Sequence, residues 1–412
     1  MKKTIALVLA LVMVFALCAC GQKTETDKGG DTAAQGVVID GDTIKIGVFE
    51  PATGENGAGG MQEVLGIRYA NTVAPTVKIG DKEYNVELVE VDNQSDKTAA
   101  VTAAQQLVSS GVIGVLGSYG SGVSIAAGET FASALIPAIG CSCTNPQVTA
   151  GNEYYFRVCF LDPFQGTVMA NYAKAQGCVK AAVVNQNGDD YSTGLANYFK
   201  EAFKAMDGCE VVYEGTYNTN ETDFNAILTS VKSSGADVMF VPSSIVSAGL
   251  IIKQARDMGL TCKLMAGDTW ENATIIENAG ADNCEGAAFS TFFDENDASA
   301  AEFVKGFKEY LNSSSENLKL NSGNDTVAAV SALGYDAYMT MIEALKAIEG
   351  DVTSVALREA LVGVSYNGVT GAITFNEEGD ANKDMAYIKT MTDGAFKFVG
   401  TQKTDGTFTA AE

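Results

Sequence analysis

Histidine is absent from all 412 residues. That absence removes Ser/His/Asp triads, Cys/His dyads and most catalytic zinc sites in one step. Basic residues are scarce too: 27 Lys and Arg stand against 51 Asp and Glu, for a formal net charge of −24. A chain so acidic is repelled by phosphate backbones and anionic lipid, which excludes nucleic acid as a partner and favours solubility. Apolar runs long enough to cross a bilayer, roughly 18 residues, are missing beyond the N-terminus. Cysteines past residue 20 number seven (141, 143, 159, 178, 209, 262 and 284), an odd count without a CxxC pair. Zinc-ribbon spacing is therefore lacking and no metal is expected, a single disulfide remains open, and the thiols read as small apolar fillers.

At the N-terminus, Lys2 and Lys3 precede an apolar run from Ile5 to Leu17 that closes on Cys18, Ala19 and Cys20. This is the form of a secretory signal, and the run is too short for a membrane span. The sequence LCAC, followed by Gly21, resembles a bacterial lipobox, which implies cleavage before Cys20 and lipidation of that cysteine; a plain secretory cut is the alternative. A cysteine carrying more than one acyl chain gives stable anchoring. Residues 1–19 are thus expected to be a lipoprotein signal peptide and 20–41, polar and glycine-rich, a flexible stalk. The protein is expected outside the cytoplasm, lipid-anchored to the outer face of the bacterial cell membrane.

From Asp42 onward, short apolar runs alternate with amphipathic stretches at a period of roughly thirty residues, the pattern of βα units and parallel sheets. Strands are predicted at 44–49, 86–91, 113–116, 137–139, 181–184, 210–213, 238–241, 263–266 and 287–291. Helices are predicted at 96–109, 194–206, 223–233 and 246–258, with glycine stops at Gly111 and Gly235. Residues 298–361 read as helices alone, and strand patterns return in GAITF, AYIKTM and AFKFVG. The layout predicts an α/β fold of two lobes sharing the chain, 42–160 with 293–368 and 161–292 with 369–403.

In open parallel sheets, ligands gather beyond the carboxyl ends of the strands. The loop GSYGSG (117–122) leads into an apolar helix, whose N-terminal amides suit a small anion; a plain glycine-rich turn is the alternative. GCSCTNP (140–146) presents Ser142 and Thr144, NQNGDDYSTG presents Tyr191, and GDTWEN presents Asp268 beside the only tryptophan. Asp268 could instead cap a helix starting at Glu271. Anion donors together with a carboxylate make a pairing suited to a zwitterion.

IKIGVFEPATG, VDNQSD, GVLGSYGS, CTNPQVT, NQNGDDYSTG, IIKQARDMGL, MAGDTW and GAITFNEEGD occur in this order and spacing. With them the chain resembles the leucine/isoleucine/valine-binding family of solute receptors for ABC importers, with the type I periplasmic-binding-protein fold. The resemblance implies two Rossmann-like lobes with parallel sheets joined by three crossover strands. It implies that Ser118 and Thr144, helped by amides of the helix beginning near Ser121, hold a ligand carboxylate. It also implies that the Ser142 carbonyl and Asp268 hold the ammonium while Tyr191 closes from the second lobe. Aromatic residues usual in the family are replaced by Gly59 and Ser244, which predicts a larger or wetter side-chain pocket, with Tyr119 and Trp270 as its other candidates. An amino acid ligand, a membrane permease partner, a monomer and no cofactor are expected. A sensing ectodomain of the same fold, acting through a separate partner, is the alternative. Enzymatic function is not expected: no serine near a strand end sits in GxSxG, and the neighbouring Asp189 and Asp190 read as a solvated loop.

Overall fold

Strand β1 (Thr43–Glu50) is buried along nearly its whole length, as expected of a strand covered by helices on both faces. In this computed structural model the described residues are 36–403 and 406–411. The signal segment, Cys20 and the stalk up to residue 35 lie outside them. The first sheet has six strands in the order β2-β3-β1-β4-β5-β6, adding β2 (Thr76–Ile79), β3 (Lys82–Asp92), β4 (Gly114–Leu116), β5 (Ala138–Gly140) and β6 (Tyr155–Arg157). All its pairings are parallel except β2 with β3.

The second sheet contains β7 (Lys180–Asn187), β8 (Glu210–Asn218), β9 (Val238–Phe240), β10 (Lys263–Ala266) and β11 (Ala288–Thr291). After a short hairpin of β12 (Tyr366–Gly368) and β13 (Gly371–Ile373), this sheet is completed by antiparallel β14 (Met385–Thr392), β15 (Ala395–Lys403) and β16 (Phe408–Ala410). Its order is β16-β15-β14-β11-β10-β9-β7-β8. The chain leaves the first sheet after β6 and enters the helix Asp162–Ala175, which packs beside the second sheet. After β11 it returns: the helix Ala329–Lys346 packs on the helix Gly57–Val73, next to the first sheet. It then crosses again to β14.

Six of these elements were not predicted from sequence: β2, β6, β12, β16 and the helices Gly57–Val73 and Asp162–Ala175. The helix Gly57–Val73 begins in a glycine-rich stretch for which no element was predicted, and Gly66 within it and Gly334 on the facing helix permit close packing. A side-chain carbon on Gly66 would fall 1.9 Å from the Ser331 carbonyl oxygen, and one on Gly334 would fall 2.4 Å from that of Glu63. Strand β6 is three residues long and centred on an aromatic, too short for a periodic signal. The predicted helix stops hold: Gly111 and Gly235 have φ of +73° and +71°, the left-handed region that glycine enters without penalty. Residues 37–39, placed by sequence in the stalk, are tied to the fold. Val38 bridges Thr353, and Val37 and Ile39 exchange hydrogen bonds with residues 352–354.

Candidate ligand-binding site

The parallel register levels the ends of β1, β4 and β5. Val48 stands opposite Leu116, and Leu116 opposite Ile139, so two residues further on Glu50, Ser118 and Cys141 come side by side. Ser118 Oγ accepts from Asn93 Nδ2 at 2.9 Å and donates to Glu50 Oε2 at 3.5 Å. The Tyr119 amide donates to the same Glu50 oxygen at 2.7 Å. Gly117 makes room for that carboxyl: its φ is +114°, and a side-chain carbon there would lie 2.5 Å from Glu50 Oε1.

The helix Ser121–Ser133 begins without a side-chain cap, which leaves its first-turn amides for water or a ligand. Thr144 reaches the same end of the sheet because Arg157, on β6, holds the turn. Arg157 donates to the carbonyls of Cys143 and Asn145, to Thr149 Oγ1, and through Nε to Asp380 at 2.6 Å. The Thr144 hydroxyl is buried and makes no hydrogen bond of normal geometry, although it lies close enough to buried Asp162 to ease that group's charge. Burial nonetheless pushes the Asp162 carboxyl well above its usual range. Ser142 donates its hydroxyl to Glu63 Oε1, from the helix Gly57–Val73.

The strand ends of the second sheet contribute Tyr191, after β7, and Asp268, after β10. Asp268 Oδ1 accepts from Gln165 Nε2 at 2.7 Å and from the Tyr191 hydroxyl at 3.0 Å. It is not a helix cap: Asn272 caps the helix Ala273–Ala279, accepting from the Thr274 amide at 3.0 Å. Burial raises the Asp268 carboxyl to about 6, with the Gln165 and Tyr191 hydrogen bonds opposing the rise. Of the residues predicted from sequence, Ser118 and Thr144 are 0 % exposed, Ser142 2 %, Asp268 3 % and Tyr191 7 %, so the cleft is closed over them. Contacts link the two sheets' ends. Glu55 accepts from the Asn220 amide at 2.9 Å and from Gln186 Nε2 at 2.7 Å, and Lys97 pairs with Asp190 at 2.7 Å.

The side-chain pocket departs from expectation. Gly59 does not leave a void, because the Tyr119 ring occupies its space; a side-chain carbon on Gly59 would lie 2.4 Å from Tyr119 Cε2. Nor does Ser244 wet the pocket. Its hydroxyl caps the helix Ile245–Asp257, accepting from the Ser247 amide at 3.3 Å and donating to Ser247 Oγ at 3.0 Å. Trp270 is wholly buried, with Nε1 donating to Ser243 Oγ at 3.1 Å. Asp189 and Asp190 are not a solvated loop: Asp189 caps the helix Asp190–Lys204 at Ser192, and Asp190 holds Lys97. The cysteines at 141, 143, 159, 178, 209, 262 and 284 are all free, and burial raises the Cys143 thiol to about 11, so it stays protonated.

Sequence reasoning missed two residues, Glu50 and Glu63. Both are buried. Burial, then the charge of Glu63, lifts the Glu50 carboxyl well above its usual range, and burial lifts Glu63 to about 7. The available signals were an acid closing the apolar run IKIGVFE and another inside MQEVLGI, because an acid within a buried pattern needs a partner or a function.

Two largely parallel sheets with polar side chains collected at their strand ends define an α/β ligand-binding protein. Residues 43–395 match the periplasmic binding protein family, and the chain belongs to it. That family is one of binding proteins rather than enzymes. Over 360 residues the chain is 29% identical to Leu/Ile/Val-binding protein homolog 3 of Brucella melitensis, a match covering 87% of this chain and 93% of that protein. Its structure is similar to that of the leucine binding protein LivK of Thermotoga maritima (32% identity, TM-score 0.80, 88% of this chain and 99% of that one). It is also similar to the branched-chain amino acid transporter substrate binding protein LivJ of Streptococcus pneumoniae in complex with isoleucine (28% identity, TM-score 0.77, 86% and 98%).

Proposed function

We propose that the protein is the extracytoplasmic solute-binding component of an ABC importer, holding an α-amino acid between its lobes and passing it to a membrane permease. One observation carries this reading. Donors, the Thr144 hydroxyl beside Asp162 and the uncapped start of the helix at Ser121, gather on one lobe, while on the other Tyr191 donates to the buried acid Asp268. A ligand carboxylate suits the first group, and an ammonium suits Asp268 with the Ser142 carbonyl. The Leu/Ile/Val-binding names of the relatives agree with it. In this reading 42–160 with 293–368 moves against 161–292 with 369–403 by hinge closure, and a lipid on Cys20 keeps the monomer near its permease.

The test is a thermal-shift screen of the protein against every proteinogenic amino acid. A ligand at a hundred times its dissociation constant stabilises by about 2.7 kcal/mol, so at least one amino acid raises the melting temperature by several degrees. A panel without any shift contradicts the reading.

A further inference from the structure

Glu50 and Glu63 are more acid than a simple amino acid needs. One carboxylate oxygen of each lies with Cys141 Sγ in a group whose ligand atoms are all within 4.8 Å of one another. Glu50 Oε1 and Glu63 Oε2 are buried without a partner of normal hydrogen-bond geometry, as is Gln165 Oε1 beside Asp268, although the two carboxyls lie close enough to perturb each other's protonation. No ion pair among the described residues reaches Glu50, Glu63, Asp162 or Asp268. The buried cations are committed elsewhere, Arg157 to Asp380 and Lys389 to Glu271 and Asp294.

The α-ammonium of a neutral amino acid would be met by Asp268 and the Ser142 carbonyl, leaving Glu50 and Glu63 with hydrogen-bond donors on one oxygen each but no cation. Unpaired buried carboxylates are costly, so they either keep their protons or receive a cation. Burial has already driven both upward, and the Tyr119 hydroxyl is raised first by burial and then by the charges of Asp268, Glu63, Glu271 and Glu50. The acids therefore share one region. It also holds the Tyr119 ring that fills the space over Gly59.

We propose that the ligand carries a second cationic group, an ammonium or guanidinium resting against Glu50 and Glu63, so that the solute is a basic amino acid rather than an aliphatic one. This rests on the amino-acid reading above and narrows it. A divalent metal on Glu50, Glu63 and Cys141, or a carboxyl pair sharing one proton, is the competing account of the same cluster.

The experiment is isothermal titration calorimetry near neutral pH with lysine, ornithine and arginine, against norleucine and leucine. Norleucine is lysine without its distal ammonium. Cadaverine, which is lysine without its carboxylate, and zinc chloride are titrated alongside. A charge-assisted contact predicts that at least one basic amino acid binds about 10- to 100-fold tighter than norleucine. Glu50→Gln and Glu63→Gln, verified as folded by their melting curves, are each expected to reduce that ratio about tenfold. Norleucine or leucine binding as tightly as every basic amino acid overturns the proposal but leaves the amino-acid reading standing. Stoichiometric zinc binding lost in Glu50→Gln also overturns it, in favour of a metal site. Cadaverine binding in the absence of any amino acid binding sinks the amino-acid reading and supports the second cation, whereas silence from every compound sinks both.

Discussion

Glu50 accepts the backbone N–H of Tyr119 at 2.7 Å, one residue past Ser118. A carboxylate of the protein itself thus occupies a loop amide that a ligand carboxylate would otherwise use. The donors left for a ligand are the Thr144 hydroxyl and the first amides of the helix at Ser121, while the Ser118 hydroxyl is shared between Asn93 and Glu50.

Raised carboxyls make the protein's stability sensitive to pH. Glu63 at about 7 and Asp268 at about 6 lie above their unfolded values, so the folded state holds more protons through this window. Stability is then greatest below the unfolded pKa and falls as pH rises through the folded one. The lowered acids Asp92, Asp297 and Glu214 act in the opposite sense, losing their contribution only in more acidic solution. Scanning calorimetry of ligand-free protein between about pH 5 and pH 8 should show a falling melting temperature, with a shallower slope in Glu63→Gln. An unchanged slope in that variant removes Glu63 from the effect.

Arg157 should matter to folding more than any surface pair. It is fully buried and binds Asp380, Thr149 and two carbonyls of the Thr144 turn. Arg157→Met strands the Asp380 carboxylate and should cost about 3–5 kcal/mol in urea unfolding. Arg358→Met, which breaks an exposed pair with Glu153, should cost less than about 1 kcal/mol.

The exchange of Tyr119 for a missing side chain at position 59 predicts non-additivity. Gly59→Ala should cost about 1–3 kcal/mol by overpacking against the Tyr119 ring. In a Tyr119→Ala background most of that cost should vanish, giving a coupling of about 0.5 kcal/mol or more by denaturant melts. Additive losses would mean the two positions do not compete for space.

Glu55 accepts from the Asn220 amide and from Gln186, which stand at the second sheet. Glu55→Ala should leave ligand contacts intact yet weaken closure, by about 1 kcal/mol or roughly fivefold in affinity. Stopped-flow measurements should find the change mainly in the dissociation rate.

The fold was readable because βα periodicity and glycine stops are local signals, and the strands from β7 through β11 lie close to their predicted places. Helix Gly57–Val73 was hidden because its Gly66 serves packing against Ser331, as Gly334 of the facing helix does against Glu63, a tertiary requirement that local propensity does not record. Loops after strands pointed to Ser118, Ser142, Thr144, Tyr191 and Asp268. Glu50 escaped because it is the last residue of a strand rather than part of a loop, and Glu63 because it sits inside a helix that was itself unread. Tyr119 filling the space over Gly59 depends on which side chain turns inward, which spacing alone does not reveal.

A crystal structure of the ligand-saturated protein tests the clamp most directly. The account predicts an ammonium within about 3 Å of both Asp268 and the Ser142 carbonyl, with a carboxylate at the Thr144 hydroxyl and the amides of the helix at Ser121. A bound solute whose cation avoids Asp268, or whose carboxylate lies away from Thr144 and that helix, would contradict it.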